Sequence, residues 1–343
     1  MKRAIQLAEF GLGNTLSNPL VGAVLVKNGN IISEGFHKKF GGPHAEVEAL
    51  KKLSNDETSN SELYVTLEPC NHTGKTPPCC ELIIEKKIKK VWISHKDPNP
   101  LVNGSGIKRL IQAGIEVHVG LLEKESRFMN RRFITRYEKD RPYVILKWAE
   151  TSDGYLGFGE ENEPTKGLIS DSFSSLLSHR WRSEEQGILV GVNTILNDNP
   201  KLTNRKTQGP SPKIFILDPS QKLTGHSLNC VVGRRPSEII FVTKHENKNQ
   251  EISPEIEIET CQPYTTDQIL KQIAQRNINS ILVEGGAITH SNFLTEEHWD
   301  EIRVFRSNKF LGRGLKAANI GYLEPKEILK LRDDRLFIYY RQS

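Results

Sequence analysis

Four residues in the first quarter of the chain could bind a metal ion and transfer a proton. His44 and Glu46 are separated by one residue, and Cys70 and Cys79 each follow a proline, with eight residues between the two cysteines. Histidine and cysteine are ligands that zinc prefers, and three protein ligands leave its fourth position open for water. Zinc lowers the pKa of that water to about 7, which supplies hydroxide at neutral pH. The pattern therefore predicts a catalytic zinc site with His44, Cys70 and Cys79 as ligands.

The same residue types also predict a reaction. In zinc deaminases, one histidine and two cysteines hold the metal, while a glutamate that is not a ligand moves protons. Hydroxide would attack a ring carbon that bears an exocyclic amine. Glu46 would take the proton from the water and return it to the departing ammonia. The gap between the cysteines departs from the general signature, in which only two residues separate them.

The elements around these residues must bring them together. Apolar residues recur after His44 in a helical pattern, so we expect a helix that begins at this histidine. A strand predicted over Glu62–Leu67 ends just before Cys70, and Cys79 opens the next helix, where the helix dipole favours a thiolate. Cys80 is a rival ligand, but adjacent side chains on a helix diverge, so only one can reach the metal. Cys79 is favoured because it follows two prolines; inert burial of the cysteines is the structural alternative.

Length, charge and cysteine content restrict the class of protein. A chain of 343 residues is long enough for about two domains, and its formal net charge of +5 is modest. The five cysteines form no disulfide-like array, which indicates a reducing compartment. The N-terminal segment lacks the apolar core of a signal peptide, and no later segment is apolar enough to span a membrane. We therefore expect a cytoplasmic protein with no membrane partner.

The first half alternates strands with helices and predicts a three-layer α/β/α domain. Val21–Val26 and Ile31–Glu34 are expected to form a hairpin around the turn at residues 28–30. Further strands are predicted over Glu62–Leu67, Val91–Ser94 and Glu116–Gly120, with helices from His44, from Cys79 and over Gly106–Ala113. A charged segment, 131–141, leads into Pro142, so we place the domain boundary after residue 141.

The second half, residues 142–343, restarts the alternation and predicts a mainly parallel sheet. Strands are predicted over Tyr143–Lys147, Gly187–Val190, Lys213–Leu217, Glu238–Thr243 and Ser280–Val283, and helices over Ser172–Glu184 and Thr266–Gln275. Leu176, Leu177 and Trp181 are expected to share one face of the first of these helices.

Ligands of such sheets bind beyond the carboxyl ends of the strands. Gly191–Thr194 and Glu284–Ser291 would both lie there. The glycines after Val283 would let the backbone approach a phosphate at a helix start, although a tight turn that needs glycine explains them equally well.

Longer motifs in both halves resemble one known family. The first half contains the continuous stretch from Thr66 to Cys79, together with Asn18–Val24, Gly42–Glu46 and Asp97–Pro100. The second half contains Leu146-Lys147, Ser152–Gly154, His179–Arg182, Ile188–Thr194, Asp198–Pro200, Leu202–Arg205 and Val283–Gly286. Over essentially its full length, the chain resembles the bifunctional riboflavin-biosynthesis enzymes, in which a diaminohydroxyphosphoribosylaminopyrimidine deaminase is fused to a 5-amino-6-(5-phosphoribosylamino)uracil reductase. The resemblance implies a cytidine-deaminase-like domain followed by a dihydrofolate-reductase-like α/β domain.

For the first half, the resemblance implies one zinc ion on His44, Cys70 and Cys79, with Glu46 as the proton shuttle. The substrate would be the phosphoribosylated pyrimidine 2,5-diamino-6-(5-phosphoribosylamino)pyrimidin-4(3H)-one. The residues that would line its pocket are Asn18, His37, His72, Lys75, Asp97 and Asn99. A lysine there can hold a ribose phosphate as a point charge.

For the second half, the resemblance implies an NADPH-dependent reduction, in which hydride passes to C1 of the ribosyl group and turns it into a ribityl group. The substrate-binding residues would be Lys147, Lys166, Arg182, Leu202, Arg205 and Glu284. NADPH would be held by Ala149, Leu168, Thr194, Asp198, Gly286, Ala287, Ile288, Thr289, His290, Ser291 and Asn292. The guanidinium groups of the two arginines suit the substrate phosphate, since they can bind it bidentately.

Some reductase positions depart from the family pattern. Lys166 stands in place of a serine or threonine, Leu168 in place of a tryptophan, and Asn199 in place of an aspartate. A deaminase whose second half no longer reduces its substrate is therefore one alternative. A structural zinc protein is another, and it would need a fourth ligand, which Cys80 could supply.

A nucleic-acid deaminase with an RNA-binding appendage is a further alternative. The densest basic run, residues 86–90, is expected at the end of a helix, where it serves solubility. The chain lacks a basic stripe with interleaved aromatic residues, which disfavours nucleic acid as a partner. We expect small-molecule partners and, from the surface strands and the resemblance, a homo-oligomer.

Overall fold

The computed structural model describes residues 1–72, 77–100, 102–157, 169–223, 238–245 and 257–342. The chain divides into two compact units, Met1–Asp140 and Arg141–Ser343. Three of the site residues predicted above, Lys75, Lys166 and Leu168, lie outside the described residues. In the part of the chain that the structure describes, no helix combines the length and the apolar character that a membrane crossing needs.

The first unit contains one mixed sheet, which has five strands among the described residues, in the order β2-β1-β3-β4-β5. The strands are β1 (Gly22–Lys27), β2 (Asn30–Phe36), β3 (Glu62–Leu67), β4 (Lys90–His95) and β5 (Glu116–Val119). The helices are α1 (Lys2–Glu9), α2 (Ala45–Leu50), α3 (Asn55–Thr58), α4 (Cys79–Glu85), α5 (Ser105–Gln112), α6 (Glu123–Met129) and α7 (Arg131–Glu138). The predicted hairpin is confirmed, since β1 and β2 are antiparallel and joined by a tight turn.

Alternation along β1 buries both faces of this sheet. Ala23 and Leu25 belong to the apolar core under α2, α4 and α5, whereas Val24 packs with Ala4 and Leu7 of α1 on the opposite face. The predicted α/β/α layering is therefore confirmed. Strands β3, β4 and β5 run parallel, so the loops that follow β3 and β4 leave the sheet at the same edge.

The second unit is built on a nine-stranded sheet, counted over the described residues, in the order β11-β10-β9-β8-β12-β6-β13-β16-β15. Its strands, with a separate β7–β14 pair, are β6 (Tyr143–Glu150), β7 (Tyr155–Gly157), β8 (Gly187–Gly191), β9 (Lys213–Leu217), β10 (Ile239–Thr243), β11 (Glu257–Thr260), β12 (Ser280–Val283), β13 (Glu301–Ser307), β14 (Leu315–Lys316), β15 (Glu327–Leu331) and β16 (Asp334–Tyr340). Its helices are α8 (Ser172–Glu184), α9 (Val192–Asp198), α10 (Thr266–Gln275) and α11 (Ala287–Thr295).

Neighbouring strands are parallel, as predicted, throughout the part of the sheet with the order β11-β10-β9-β8-β12-β6-β13. Strand β16 pairs antiparallel with both β13 and β15. Residues of β6 alternate between two apolar clusters. Val144, Leu146 and Trp148 face one cluster, and Tyr143 and Ile145 face the other. By the same alternation, Lys147 lies on the face of β6 that carries Tyr143 and Ile145, which is the face that α8 covers.

One expectation about a helix needs correction. The bounds of α8 agree with the prediction, but Leu176 is 39% exposed, and the buried face carries Ser174, Ser178 and His179 beside Trp181. Leu177 packs in the same apolar cluster as Trp181, as expected, so the correction concerns Leu176 alone. The buried face also holds polar partners, since the hydroxyl of Ser174 donates to Asp334 Oδ2 at 2.6 Å.

The charged segment before the domain boundary is a helix over most of its length. It forms α7, in which Phe133, Ile134 and Thr135 are buried and the last residue, Glu138, is exposed. The buried residues attach this half-charged helix to the unit.

Candidate active sites

The predicted zinc ligands converge at the edge of the first sheet where β3 ends. His44 is the N-cap of α2, Cys70 lies in the loop after β3, and Cys79 is the first residue of α4. Their ligand atoms all lie within 4.8 Å of one another. His44 Nδ1 is 3.3 Å from Cys79 Sγ and 3.5 Å from Cys70 Sγ. One imidazole and two thiols at this spacing fit zinc and leave its fourth position for water.

Cys80 does not join this group. Its thiol lies 3.4 Å from the carbonyl oxygen of Pro69 and 3.6 Å from that of Gly106, within the apolar core. Burial raises the pKa of Cys80 to about 12. Cys80 is therefore a core residue, which removes the fourth protein ligand that a structural zinc site would require.

Glu46 lies in the first turn of α2 and is 3% exposed. Burial raises the pKa of Glu46 to about 7, although the nearby His44 opposes the rise. A hydrogen bond from the Cys79 thiol lowers the pKa of Cys70 to about 4, and the same bond raises the pKa of Cys79 well above its usual value. The two sulfurs thus share a proton, which zinc must displace when it binds.

Asn18 and His37 form a rigid pair beside the zinc ligands. The ring of His37 lies edge-on to that of His44, with 5.9 Å between ring centroids. His37 Nδ1 donates to the carbonyl oxygen of Pro43 at 2.9 Å, so its Nε2 must accept from the Asn18 amide nitrogen, also at 2.9 Å. Burial lowers the pKa of His37, which keeps the ring neutral. The amide of Asn18 is therefore held in one orientation.

Asp97 and Asn99 lie in the loop that follows β4, at the same sheet edge. Asp97 is 9% exposed and accepts the backbone N–H of Asn99 at 2.8 Å. Burial raises the pKa of Asp97 to about 6, and the hydrogen bond from the Asn99 N–H opposes the rise. His72 is exposed. Five of the six predicted pocket residues lie in the described part of the chain: Asn18, His37, His72, Asp97 and Asn99.

Sequence reasoning missed the part played by Glu68, which precedes the Pro-Cys motif. Its buried carboxylate accepts hydrogen bonds from four backbone N–H groups of the loop after β4 and of the start of α5. Only the acidic residue type next to the motif could have drawn attention to it, since the partners lie about thirty to forty residues further along the chain.

In the second unit, three charged side chains meet on the sheet face that α8 covers. Val283 pairs with Leu146 in register, so Glu284 follows β12 beside Lys147 of β6. The Nζ of Lys147 is 3.6 Å from Glu284 Oε2. Arg182 of α8 donates through Nε and Nη2 to the two oxygens of Glu284 at 2.9 and 2.8 Å.

The three side chains are 8–13% exposed, so their charges interact strongly. Burial opposes ionisation of Glu284, but Arg182 and Lys147 outweigh it and lower the pKa of Glu284 to about 2. Burial lowers the pKa of Lys147, with Glu284 acting in the opposite direction. The third guanidinium nitrogen of Arg182, Nη1, donates to the carbonyl oxygen of Thr203 at 3.2 Å.

The loop that follows β8 and the loop that follows β12 lie close together, as predicted for the carboxyl ends of parallel strands. A Cβ at Gly285 would lie 2.4 Å from the backbone nitrogen of Gly191, so only glycine fits there. The backbone N–H of Gly286 donates to Thr194 Oγ1 at 2.9 Å. Gly286 is the N-cap of α11 and has no side chain to cap the helix, which suits the phosphate of a dinucleotide.

Side chains from this turn point in different directions. Ile288 is 67% exposed, whereas Thr289 and His290 are buried. His290 Nε2 lies 3.0 Å from the carbonyl oxygen of Val283, and its ring is 5.0 Å from that of Trp148. His290 therefore supports the turn from within the core.

The remaining predicted residues of the second unit differ in exposure. Leu202 is 3% exposed, and its side chain packs in an apolar cluster. Arg205 is exposed, and its backbone N–H donates to Nδ1 of the buried His179 at 3.1 Å. Ala149 shares a face of β6 with Lys147, and Asp198 is the last residue of α9. Ala287, Ser291 and Asn292 lie on α11, partly or fully exposed.

Comparisons with known proteins agree with both halves of this description. A family model of the RibD C-terminal domain matches residues 142–337, and one of the cytidine and deoxycytidylate deaminase zinc-binding region matches residues 1–95. The riboflavin biosynthesis protein RibD of Aquifex aeolicus is 39% identical over 339 residues, which cover 98% of this chain and 94% of that protein. The chain belongs to the RibD family. It is thus a bifunctional deaminase and reductase of riboflavin biosynthesis, with a zinc-binding deaminase domain and a reductase domain of the NADPH-using RibD type.

Solved structures of RibD relatives share the whole fold. The deaminase/reductase of Thermotoga maritima is 38% identical with a TM-score of 0.89, and the match covers 99% of this chain and 97% of that one. RibD of Acinetobacter baumannii is 31% identical with a TM-score of 0.89, over 100% of this chain and 98% of that one. The two-domain fold predicted from the sequence is therefore confirmed.

Proposed function

We propose that the first unit hydrolytically deaminates 2,5-diamino-6-(5-phosphoribosylamino)pyrimidin-4(3H)-one. We propose further that the second unit reduces the product, 5-amino-6-(5-phosphoribosylamino)uracil, with NADPH. The convergence of His44, Cys70 and Cys79 beside the buried Glu46 carries the first step. The Thermotoga maritima relative, described as a diaminohydroxyphosphoribosylaminopyrimidine deaminase and 5-amino-6-(5-phosphoribosylamino)uracil reductase, supports both steps.

In the deaminase site, each residue has a separate task. His44, Cys70 and Cys79 would hold a zinc ion, which would supply Lewis acidity and a nucleophilic water at neutral pH. Glu46 accepts a proton on its carboxylate and returns it to the leaving nitrogen, because it is buried next to the ligands and is not one of them. Asn18, fixed by His37, presents its amide to the pyrimidine edge. His72, Asp97 and Asn99 complete the pocket, and Lys75 remains a predicted phosphate contact.

In the reductase site, Lys147 and Glu284 hold the pyrimidine and the open ribose, while NADPH supplies the hydride. Arg205 is the stronger candidate for the substrate phosphate, because its side chain is exposed. Arg182 already donates through three nitrogens to Glu284 and Thr203, so its proposed share in substrate binding is to orient Glu284. Lys166 and Leu202 stay as predicted substrate contacts, Leu202 through its backbone.

NADPH is proposed to lie along the turn between β12 and α11. The first-turn N–H groups of α11 would face a phosphate, with Thr194 and the backbone of residues 286–292 around it. Ala149, Leu168 and Asp198 would complete the cofactor site. The close approach of Gly285 to the end of β8, which leaves no room for a Cβ, supports a turn built to place backbone at a ligand.

We also propose a cytoplasmic homo-oligomer. Reduced thiols are needed for the metal site, which favours a reducing compartment. Strand β15 lies at one edge of the second sheet and exposes Ile328 and Leu329 by 57% and 45%. Light scattering coupled to size-exclusion chromatography would show a single monomer mass if this proposal is wrong.

The proposed sequence of reactions is tested by one coupled assay. Zinc-loaded protein is given the phosphoribosylated diaminopyrimidinone and NADPH, and ammonia and NADPH are followed together. Equal amounts of ammonia released and NADPH oxidised are expected. Ammonia release without NADPH oxidation would overturn the reductase assignment, and no ammonia from zinc-loaded protein would overturn the deaminase assignment.

A further inference from the structure

Glu68 joins two loops that build the deaminase site. Its side chain is almost fully buried, with the residue 4% exposed. Oε1 accepts the backbone N–H groups of Gly106 at 2.9 Å and Ile107 at 3.3 Å. Oε2 accepts those of Gly104 at 2.9 Å and Asp97 at 3.3 Å. A carboxylate with four backbone donors is held in one position, since charge-assisted hydrogen bonds are short and strong.

Three of these donors belong to the beginning of α5, which has no cap of its own. The N-cap residue is Gly104, with a φ angle of 84° and no side chain that could accept a bond. Glu68 therefore caps α5 from a distant part of the sequence, and its negative charge lies at the positive end of the helix dipole.

The beginning of α5 also packs tightly on the loop that carries Cys70. A Cβ at Gly106 would lie 2.0 Å from the carbonyl oxygen of Pro69. The side-chain amide of Asn71 donates to the carbonyl oxygen of Ser105 at 3.4 Å. The zinc loop and the first turn of α5 thus behave as one body, with Glu68 at their junction.

The fourth donor links Glu68 to the proposed substrate pocket. Glu68 fixes the backbone of Asp97, and the Asp97 carboxylate in turn accepts the N–H of Asn99 at 2.8 Å. This carboxylate therefore connects both pocket residues with the loop that carries Cys70.

We propose that Glu68 is a positioning residue for deamination, which holds the Asp97–Asn99 loop against the zinc loop and touches neither metal nor substrate. This proposal rests on the proposed deaminase function. It predicts that substitution of Glu68 weakens substrate binding more than it lowers the zinc content.

The test is the substitution Glu68→Gln, which keeps the size of the side chain. A glutamine has one acceptor oxygen, and its NH2 group would face backbone donors, so two of the four bonds are lost. The matched control is Glu81→Gln, because Glu81 of α4 also pairs with α5, through Arg109, but on the surface. For each zinc-loaded protein, deaminase KM and kcat, zinc content and NADPH oxidation with supplied deaminated intermediate are measured.

Glu68→Gln is expected to raise the deaminase KM about tenfold or more, with a smaller change in kcat. Zinc content and the reductase rate should stay at the wild-type values, and Glu81→Gln should match the wild type throughout. An unchanged KM in Glu68→Gln would overturn the positioning role. A loss of activity in proportion to lost zinc would also overturn it, since the residue would then serve only metal retention.

Two further measurements keep the proposal testable if the glutamine variant does not fold. Glu68→Asp keeps the charge but shortens the side chain, and it should raise the KM above the wild-type value; a wild-type KM would contradict the proposal. In a double-mutant cycle of Glu68→Asp with Asp97→Asn, the two effects should be strongly non-additive, because Glu68 acts through Asp97. If the wild-type protein itself releases no ammonia, the proposed function fails and the role of Glu68 fails with it.

Discussion

Two buried glutamates, one in each unit, show how partners decide the charge of the same side chain. Glu46 and Glu284 are both nearly inaccessible, yet the pKa of Glu46 is raised to about 7 while that of Glu284 is lowered to about 2. Glu46 lies beside thiols and one histidine, whereas Glu284 lies between Arg182 and Lys147. The first is suited to exchanging a proton at neutral pH, and the second to remaining a fixed negative charge.

The largest effect should come from the zinc ligands of the first unit. Cys79→Ser is expected to abolish zinc binding and ammonia release, because it removes one of three protein ligands. Cys80→Ser is the control, since the thiol of Cys80 contacts carbonyl oxygens that a hydroxyl can also contact. Zinc content and the rate of ammonia release are measured for both variants. Zinc loss in Cys80→Ser, with zinc retained in Cys79→Ser, would reverse the assignment.

The comparison of the two glutamates predicts opposite effects on stability. Glu284→Gln should destabilise the second unit by about 3–5 kcal/mol, because it leaves two buried cations without their counter-charge. Glu46→Gln should not destabilise the metal-free first unit, because it removes a buried carboxylate that burial disfavours. Hydrogen exchange of the β3 amides reports the stability of the first unit, and exchange of the β12 amides reports that of the second. A large loss of protection in β3 of Glu46→Gln would contradict this account.

The exposed arginine of the reductase site gives a smaller effect. Arg205→Gln should raise the KM for the phosphorylated intermediate about tenfold to a hundredfold, the usual size of one charged hydrogen bond. Arg180→Gln is the control, since Arg180 is also exposed on the surface and pairs with Glu184. An unchanged KM in steady-state NADPH oxidation would show that Arg205 does not bind the phosphate.

The most gradual effect concerns the pH dependence of stability in the second unit. Burial lowers the pKa of His290 to about 4, compared with about 6.5 in the unfolded chain. Between these values the unfolded state binds more protons, so stability should fall as the pH drops from about 6.5 to 4, by at most about 1.4 kcal/mol per pH unit. His290→Gln should flatten this dependence, as measured by denaturant unfolding across this range. Equal pH profiles for wild type and His290→Gln would contradict the prediction.

The two sites also differ in how far the sequence predicted them. The zinc ligands lie within 36 residues of one another, on a strand end and two helix starts that the sequence pattern indicates. Lys147, Arg182 and Glu284 are spread over 138 residues, and only the register of β6 and β12 brings two of them together. Their individual residue types gave no sign that Arg182 would be engaged by Glu284.

Tertiary partners account for the expectations that failed. Leu176 is predicted on the apolar face of α8 but is exposed, whereas Ser174 is buried because its hydroxyl donates to Asp334 of a distant strand. The pairing of β15 and β16 was not predicted, because four of the five residues of β15 are exposed and carry no alternation. Glu68 was missed because its backbone partners are distant in sequence.

The most direct test of two separate active sites is a pair of rates measured on zinc-loaded Glu46→Gln. Ammonia release from the phosphoribosylated diaminopyrimidinone should fall by about a hundredfold or more, because the proton shuttle is lost. NADPH oxidation with the supplied deaminated intermediate should continue at the wild-type rate. If both rates fall together, or if ammonia release persists, the assignment of one reaction to each unit is contradicted.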